Sequence, residues 1–100
     1  MVARIWHGRT PLAKSDEYYD FLKQRAVPDY KSVAGNRGVY LLREHREDAA
    51  YFLALTFWDS LDSIRAFAGE DVTLAKYYPE DKGFLLEFEE RVRHYEVVAG

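Results

Sequence analysis

The run AYFLALTFW at Ala50–Trp58 limits most severely what this chain can fold into. Nine successive residues are apolar, aromatic or β-branched and none is glycine or proline, the composition of a strand in the middle of a sheet with both faces covered. The next residues, DSLDSIRAFAG, carry helix signals at once. Asp59 or Ser60 can accept a hydrogen bond from a first-turn N–H, and Leu61, Ile64 and Ala68 recur at i, i+3 and i+7 with Phe67 beside them. A strand that passes directly into a one-faced helix needs a partner for that face, and the nearest apolar surface is the sheet itself.

The other elements follow in order. Residues 2–8 alternate as a strand, with Val2, Arg4 and Trp6 on one face and Ala3, Ile5 and His7 on the other. From about Lys14 a helix is expected, with Ser15 and Asp16 as caps and Tyr18, Phe21, Leu22 and Ala26 as its apolar stripe. Pro28 must kink or restart it, because proline has no N–H and its ring crowds the carbonyl four residues back. Tyr30 and Val33 prolong the stripe. Ala34-Gly35-Asn36-Arg37-Gly38 reads as a turn, residues 39–44 as a second strand and 43–48 as a polar hairpin connection. Gly69 suits the end of the second helix, after which Asp71 can cap a short helix carrying Val72, Ala75 and Tyr78 that Pro79 stops. Residues 80–83 read as a loop, 84–90 have no clear period, and 92–98 form a last strand.

The order β-α-β-β-α-β predicts an α+β, ferredoxin-like domain in which right-handed crossovers lay both helices on one face of a four-stranded antiparallel sheet. The other face is left bare, with Arg4, Trp6 and alternate residues of the third strand in water. An apolar patch of that size marks an association surface, so a homodimer is expected, sheet face against sheet face.

One hundred residues make one domain, 1–100. Without cysteine there is no disulfide and no thiolate metal site, and no His-Glu-x-x-His pattern offers a metal. The absence of a glycine-rich phosphate loop and of a serine nucleophile elbow argues against nucleotide chemistry and serine hydrolysis, so no cofactor is expected. A net charge of −3 with both signs interspersed gives no basic stripe for nucleic acid. No segment approaches the roughly 18 apolar residues of a membrane span and the first residues have no secretion-type apolar region. A cytoplasmic protein with no membrane partner is the expectation. Sixteen residues are aromatic, eight of them tyrosine, whose apolar body and polar tip suit interfaces and pockets.

The element order, the sequence Leu55-Thr56-Phe57-Trp58 closing the third strand, the acidic and serine-rich start of the next helix, and His94-Tyr95-Glu96-Val97 together resemble the antibiotic biosynthesis monooxygenase (ABM) domain of the dimeric α/β-barrel superfamily. The resemblance spans nearly the whole chain and implies a dimeric α/β barrel with a pocket between sheet and helices. Members of that family include cofactor-independent oxygenases of phenolic polyketides, heme-degrading oxygenases and small isomerases. The heme-degrading branch carries an Asn late in the first strand, a Trp on the second helix and a His ligand further on. His7, Phe67 and Tyr77 stand at those positions here and none matches. The resemblance therefore implies a cofactor-independent monooxygenase acting on a small aromatic or polyketide-like substrate. A non-catalytic ligand-binding or accessory protein of the same fold, and a proton-transferring isomerase or lyase, are the alternatives.

His7 is the first catalytic candidate. It shares a strand face with Ala3 and Ile5 that is expected to point at the helices, and histidine is the usual base toward an acidic phenol or enol. Tyr77 and Tyr78, about 100° apart at the end of the expected short helix, can turn one hydroxyl to a substrate while the other ring packs. Trp58, Phe67 and His94 are expected to line the substrate pocket. All six also read as ordinary packing residues. His45, in the hairpin connection, and Arg37, in a turn, are expected to be solvated.

Overall fold

β3 (Ala50–Trp58) lies inside the sheet, paired on both edges. The computed structural model describes residues 1–100; its strands β1 (Val2–Thr10), β2 (Asn36–His45), β3 and β4 (Arg93–Glu96) form one antiparallel sheet in the order β2-β3-β1-β4. The helices pack on one face, so the α+β ferredoxin-like arrangement holds. β2 begins earlier than the turn composition suggests, by way of a bulge between Asn36 and Gly38. Arg37 is the extra residue there, and its guanidinium pairs with both oxygens of Asp59 at 2.6 and 3.0 Å rather than standing free in solvent.

The pleat of β3 divides it cleanly. Ala50, Phe52, Ala54, Thr56 and Trp58 are buried under the helices, whereas Tyr51, Leu53, Leu55 and Phe57 stay half-buried on the other side. Within one chain the run is thus covered on one face, not two. Residues opposite each other in an antiparallel pair share a face, and the pairs are Arg4 with Thr56, Trp6 with Ala54, and His7 with Leu53. The two faces of β1 are therefore the reverse of expectation: Arg4 and Trp6 are buried at 1% and 5% exposure, and Ile5 and His7 look out from the bare face. Ala54 and Gly8 leave the volume the indole fills. Arg4 is tolerated inside because Nη1 and Nη2 donate to the carbonyls of Val72 and Leu74 at 2.6 and 3.0 Å. The bare face still carries an apolar patch, made of Ile5, Tyr40, Leu42, Leu55, Phe57 and Tyr95, with Tyr40, Leu42 and Tyr95 largely exposed.

Pro28 does not break the first helical segment. α1 (Ser15–Phe21) passes through a π-helical turn (Leu22–Ala26) into α2 (Val27–Lys31), and the Val27 N–H bonds to the Leu22 carbonyl five residues back. The widened turn lies just before the proline, where an α-helical carbonyl would meet its ring. Tyr18, Leu22, Ala26 and Tyr30 are buried along this segment. α3 (Leu61–Ala68) starts at Ser60, whose Oγ accepts from the Ser63 N–H at 3.3 Å, and stops at Gly69 with φ of 98°. It buries Ile64 and Phe67, while Leu61 is exposed.

The short helix expected from Asp71 does not form. The Asp71 carboxylate accepts from the N–H and hydroxyl of Thr73 at 3.0 and 2.6 Å, closing a local turn that competes with helix. The chain then extends: Leu74 bridges to Arg91, and the N–H groups of Ala75 and Val92 donate to the carbonyls of Glu90 and Thr73. A 3₁₀ helix (Pro79–Gly83) replaces the expected loop, and the return stretch lies beside β1, with the Leu86 N–H on the Arg9 carbonyl at 2.9 Å. Residues 70–92 form a strap along the β1 side of the sheet.

Candidate functional site

The strap supplies what β1 lacks. Arg9 and His7, two apart on the bare face of β1, meet Glu87 and Glu89, two apart on the returning strap: Arg9 Nε to Glu87 Oε1 at 2.9 Å and His7 Nδ1 to Glu89 Oε2 at 2.7 Å. With Nδ1 engaged, Nε2 of His7 is the free nitrogen. A carboxylate on one imidazole nitrogen fixes the ring, sets the tautomer and stabilises the imidazolium when the other nitrogen takes a proton. The His7 side chain is 30% exposed and stands between two cavities. The larger, about 290 Å³, is shared with Leu42, Arg43, Glu44, Arg46, Tyr51 and Leu53. The smaller, about 160 Å³, lies toward Ile5, Glu89 and Tyr95. The Tyr51 ring lies 5.9 Å from the imidazole, and its hydroxyl donates to Asp48 at 2.9 Å.

Tyr77 and Tyr78 are on extended backbone, not on a helix, and they part company. Tyr77 OH donates to the Glu89 carbonyl at 2.5 Å and its ring meets Trp6 edge-on at 6.2 Å, so it steadies the backbone that carries the partner of His7. Burial pushes its phenol up. Tyr78 turns inward, into the space between sheet and helices.

That inner space is nearly full. Trp6, Tyr18, Leu22, Ala26, Tyr30 and Tyr78 surround a cavity of about 10 Å³, room for one water. Its carboxylates, Lys76 and the Tyr18 and Tyr78 hydroxyls are locked in pairs. The buried Asp81 accepts from Tyr18 OH at 2.8 Å and from the Tyr78 N–H at 2.7 Å. Burial pushes its carboxyl up, and those two hydrogen bonds pull back only part of the way. Tyr78 OH and Lys76 Nζ both donate to Asp29 Oδ2, at 2.6 and 2.8 Å. Desolvation works against the Asp29 carboxylate, yet these hydrogen bonds and the lysine charge outweigh it and hold the group below the usual range. The phenols stay protonated: burial pushes Tyr30 up to about 12, and burial together with the neighbouring carboxylate pushes Tyr18 and Tyr78 up as well. No unengaged base faces the inner cavity.

The residues expected to line a substrate pocket line none of the three cavities. Trp58 is fully buried, with Nε1 donating to Thr56 Oγ1 at 2.8 Å, and Phe67 stacks on Tyr30 at 4.4 Å. His94 faces Arg4, its Nε2 3.1 Å from Nη1; burial and that cation lower its pKa. These side chains pack inside because the even-numbered face of β3 and the inner face of α3 meet there. His45 is not in a free hairpin but at the end of β2, bonded to Ser15 Oγ at 2.6 Å. No three His, Asp or Glu side chains converge as metal ligands. Glu89 and Tyr51 were not singled out from the sequence. A signal for Glu89 exists in the acidic pair at 87 and 89, complementary in charge and spacing to Arg9 and His7.

No protein-family model matches the chain, and no curated protein matches it in sequence. Among solved structures the fold is similar to a crystal structure of a mutant of MhuD with two manganese protoporphyrin IX molecules bound per active site. The match covers 100% of this chain and 97% of that one, with 18% identity and a TM-score of 0.63. At that identity the likeness establishes the shared fold.

Proposed function

We propose that the chain is an ABM-like oxygenase domain, homodimeric through its bare sheet face, that uses His7 as a base on a small electron-rich aromatic substrate. The observation that carries this reading is the His7–Glu89 pair at 2.7 Å, set between two open cavities. Its free Nε2 takes a proton from an acidic O–H or C–H of the substrate, and Glu89 stabilises the imidazolium. The substrate anion then gives an electron to O₂. For a methylene activated by flanking rings, one oxygen ends in the new C=O and the other leaves as water with the two hydrogens. The substrate thus supplies every electron and no reductant is needed. A second copy against the patch of Tyr40, Leu42 and Phe57 would enclose the cavities and keep bulk water from the anion.

The porphyrin of the MhuD structure does not carry over. The space between sheet and helices has room for about one water, and the Tyr77 hydroxyl is engaged by the Glu89 carbonyl. The lack of an unengaged base at that inner cavity favours one alternative, a ligand-binding protein without turnover. Oxygen uptake with a panel of phenols and ring-flanked methylenes separates the two. Uptake that disappears in His7→Ala, with dimer and melting temperature unchanged, is the expected result. Binding without uptake by any member of the panel would leave the ligand-binding protein, and conversion without uptake an isomerase.

A further inference from the structure

We infer that the ring of Tyr78 is an internal occupant of a phenol-binding site on the first helical segment, a site that a free monocyclic phenol fills when that ring withdraws. The site lies on the opposite side of the sheet from His7 and stands apart from the oxygenase reading. Each part of the phenol is answered there by a different group. The hydroxyl donates to Asp29 Oδ2 at 2.6 Å. The Arg25 guanidinium lies over the ring, 5.0 Å from its centre, and Phe21 meets it edge-on at 6.0 Å. Leu22 and Ala26 line the same small cavity as Tyr78.

The walls and the occupant come from different parts of the chain. Phe21, Leu22, Arg25, Ala26 and Asp29 belong to the continuous run from α1 through the π turn into α2, whereas Tyr78 belongs to the strap. The walls therefore persist when the ring leaves. Residues 70–78 lie outside every helix and strand, and neither Lys76 nor Tyr77 makes a backbone hydrogen bond. The Tyr78 backbone is tied to Asp81 through both its N–H and its carbonyl, so rotation of one side chain is enough to clear the seat. Asp29 keeps Lys76 as a partner at 2.8 Å after the hydroxyl departs, and it remains a charged acceptor for an incoming O–H. The Asp29 and Lys76 side chains are 27% and 32% exposed, which puts the mouth of the site at the surface. A space shaped by a buried ring takes up a small aromatic molecule of the same outline.

The test uses p-cresol, the tyrosine side chain as a free molecule, and toluene, the same shape without the hydroxyl. Calorimetry gives the affinities, and the Phe21 and Tyr30 ring signals report where the probe sits. Tyr78→Ala is expected to bind p-cresol about ten-fold tighter than toluene, the size of one hydrogen bond to a charged acceptor. Wild type should bind p-cresol about ten-fold or more weakly than that variant, because its own ring must leave first. Tyr78→Phe keeps the ring and drops the bond to Asp29, so it should fall between the two. Where Tyr78→Ala does not fold alone, p-cresol should restore cooperative unfolding and toluene should not. Adding His7→Ala should change none of these results. No binding or rescue by p-cresol, equal affinity for the two probes, wild-type binding as tight as that of Tyr78→Ala, or binding that disappears with His7 would overturn the inference. Oxygen uptake that depends on His7 tests the other side of the sheet, and its failure leaves the phenol site standing.

Discussion

The indole of Trp6 lies across Gly8, so close that a Cβ on the glycine would stand 2.5 Å from Cη2 and 2.9 Å from Cζ2 of the ring. Glycine is needed there for space, since its backbone is ordinary strand. Gly8→Ala should push the buried indole off its seat and destabilise the fold by about 1–3 kcal/mol, the usual cost of overpacking. Thermal unfolding checks this, and pairing the substitution with Trp6→Phe should recover part of the loss.

Tyr18 and Asp81 form a buried bond whose removal leaves a carboxylate oxygen without a donor. Tyr18→Phe is expected to cost about 1–3 kcal/mol at neutral pH. The Asp81 carboxyl already titrates above its ordinary value, and losing the phenol raises it further. Burying it as an anion costs stability that is recovered on protonation, so the deficit of the variant should narrow as pH falls toward the raised carboxyl value. Denaturant unfolding at several pH values reads this out.

His94 makes the opposite contribution. Its folded pKa is lowered by burial and by Arg4, so the native state binds the proton less readily than the unfolded chain. Stability from this group is present above the unfolded value near 6.5 and is lost as pH falls through the folded one. His94→Gln should flatten the stability curve between pH 7 and 5. A variant that keeps the wild-type slope would assign the acid sensitivity elsewhere.

Leu42 is 45% exposed on the bare sheet face and Tyr40 59%. If a second copy covers that face, Tyr40→Glu should turn a dimer into a monomer in sedimentation or light scattering. A charge in water on an isolated strand face would by contrast change little, so an unaltered mass would argue that this face is not the interface.

Sequence periodicity was sufficient for the extent of β3, though not for its one-sided covering, for α3 with its cap narrowed to Asp59 or Ser60, and for the antiparallel pairing of the second and third strands, because those features are local. It failed on β1, where both faces carry a large or polar side chain and the choice is made by partners distant in sequence. Arg4 goes inside only because Val72 and Leu74 bring their carbonyls to it. The same error put His7 in the inner layer, whereas it stands on the bare face. The strap was the least legible stretch. The contacts holding it are long-range, Asp81 with Tyr18, Lys76 with Asp29 and Glu89 with His7, and none has a period. The candidate pair was half readable: the histidine by type, its carboxylate only once the strap lies against β1.

The π turn at Leu22–Ala26 settles a matter of angular phase. Tyr18, Leu22, Ala26 and Tyr30 are spaced by four and all reach the inner cavity. On a regular α-helix each such step overshoots a full turn by about 40°, so Tyr30 would have rotated about 120° away from Tyr18. A wider turn takes up one residue without advancing the winding, and twelve positions then do the angular work of eleven, which close to within about 20° of whole turns. The turn is thus where the chain stores a surplus residue. Excising Gln24, an exposed member of that turn, would keep the same side chains facing the sheet but bring an α-helical carbonyl against the ring of Pro28, so the shortened helix would kink or break there.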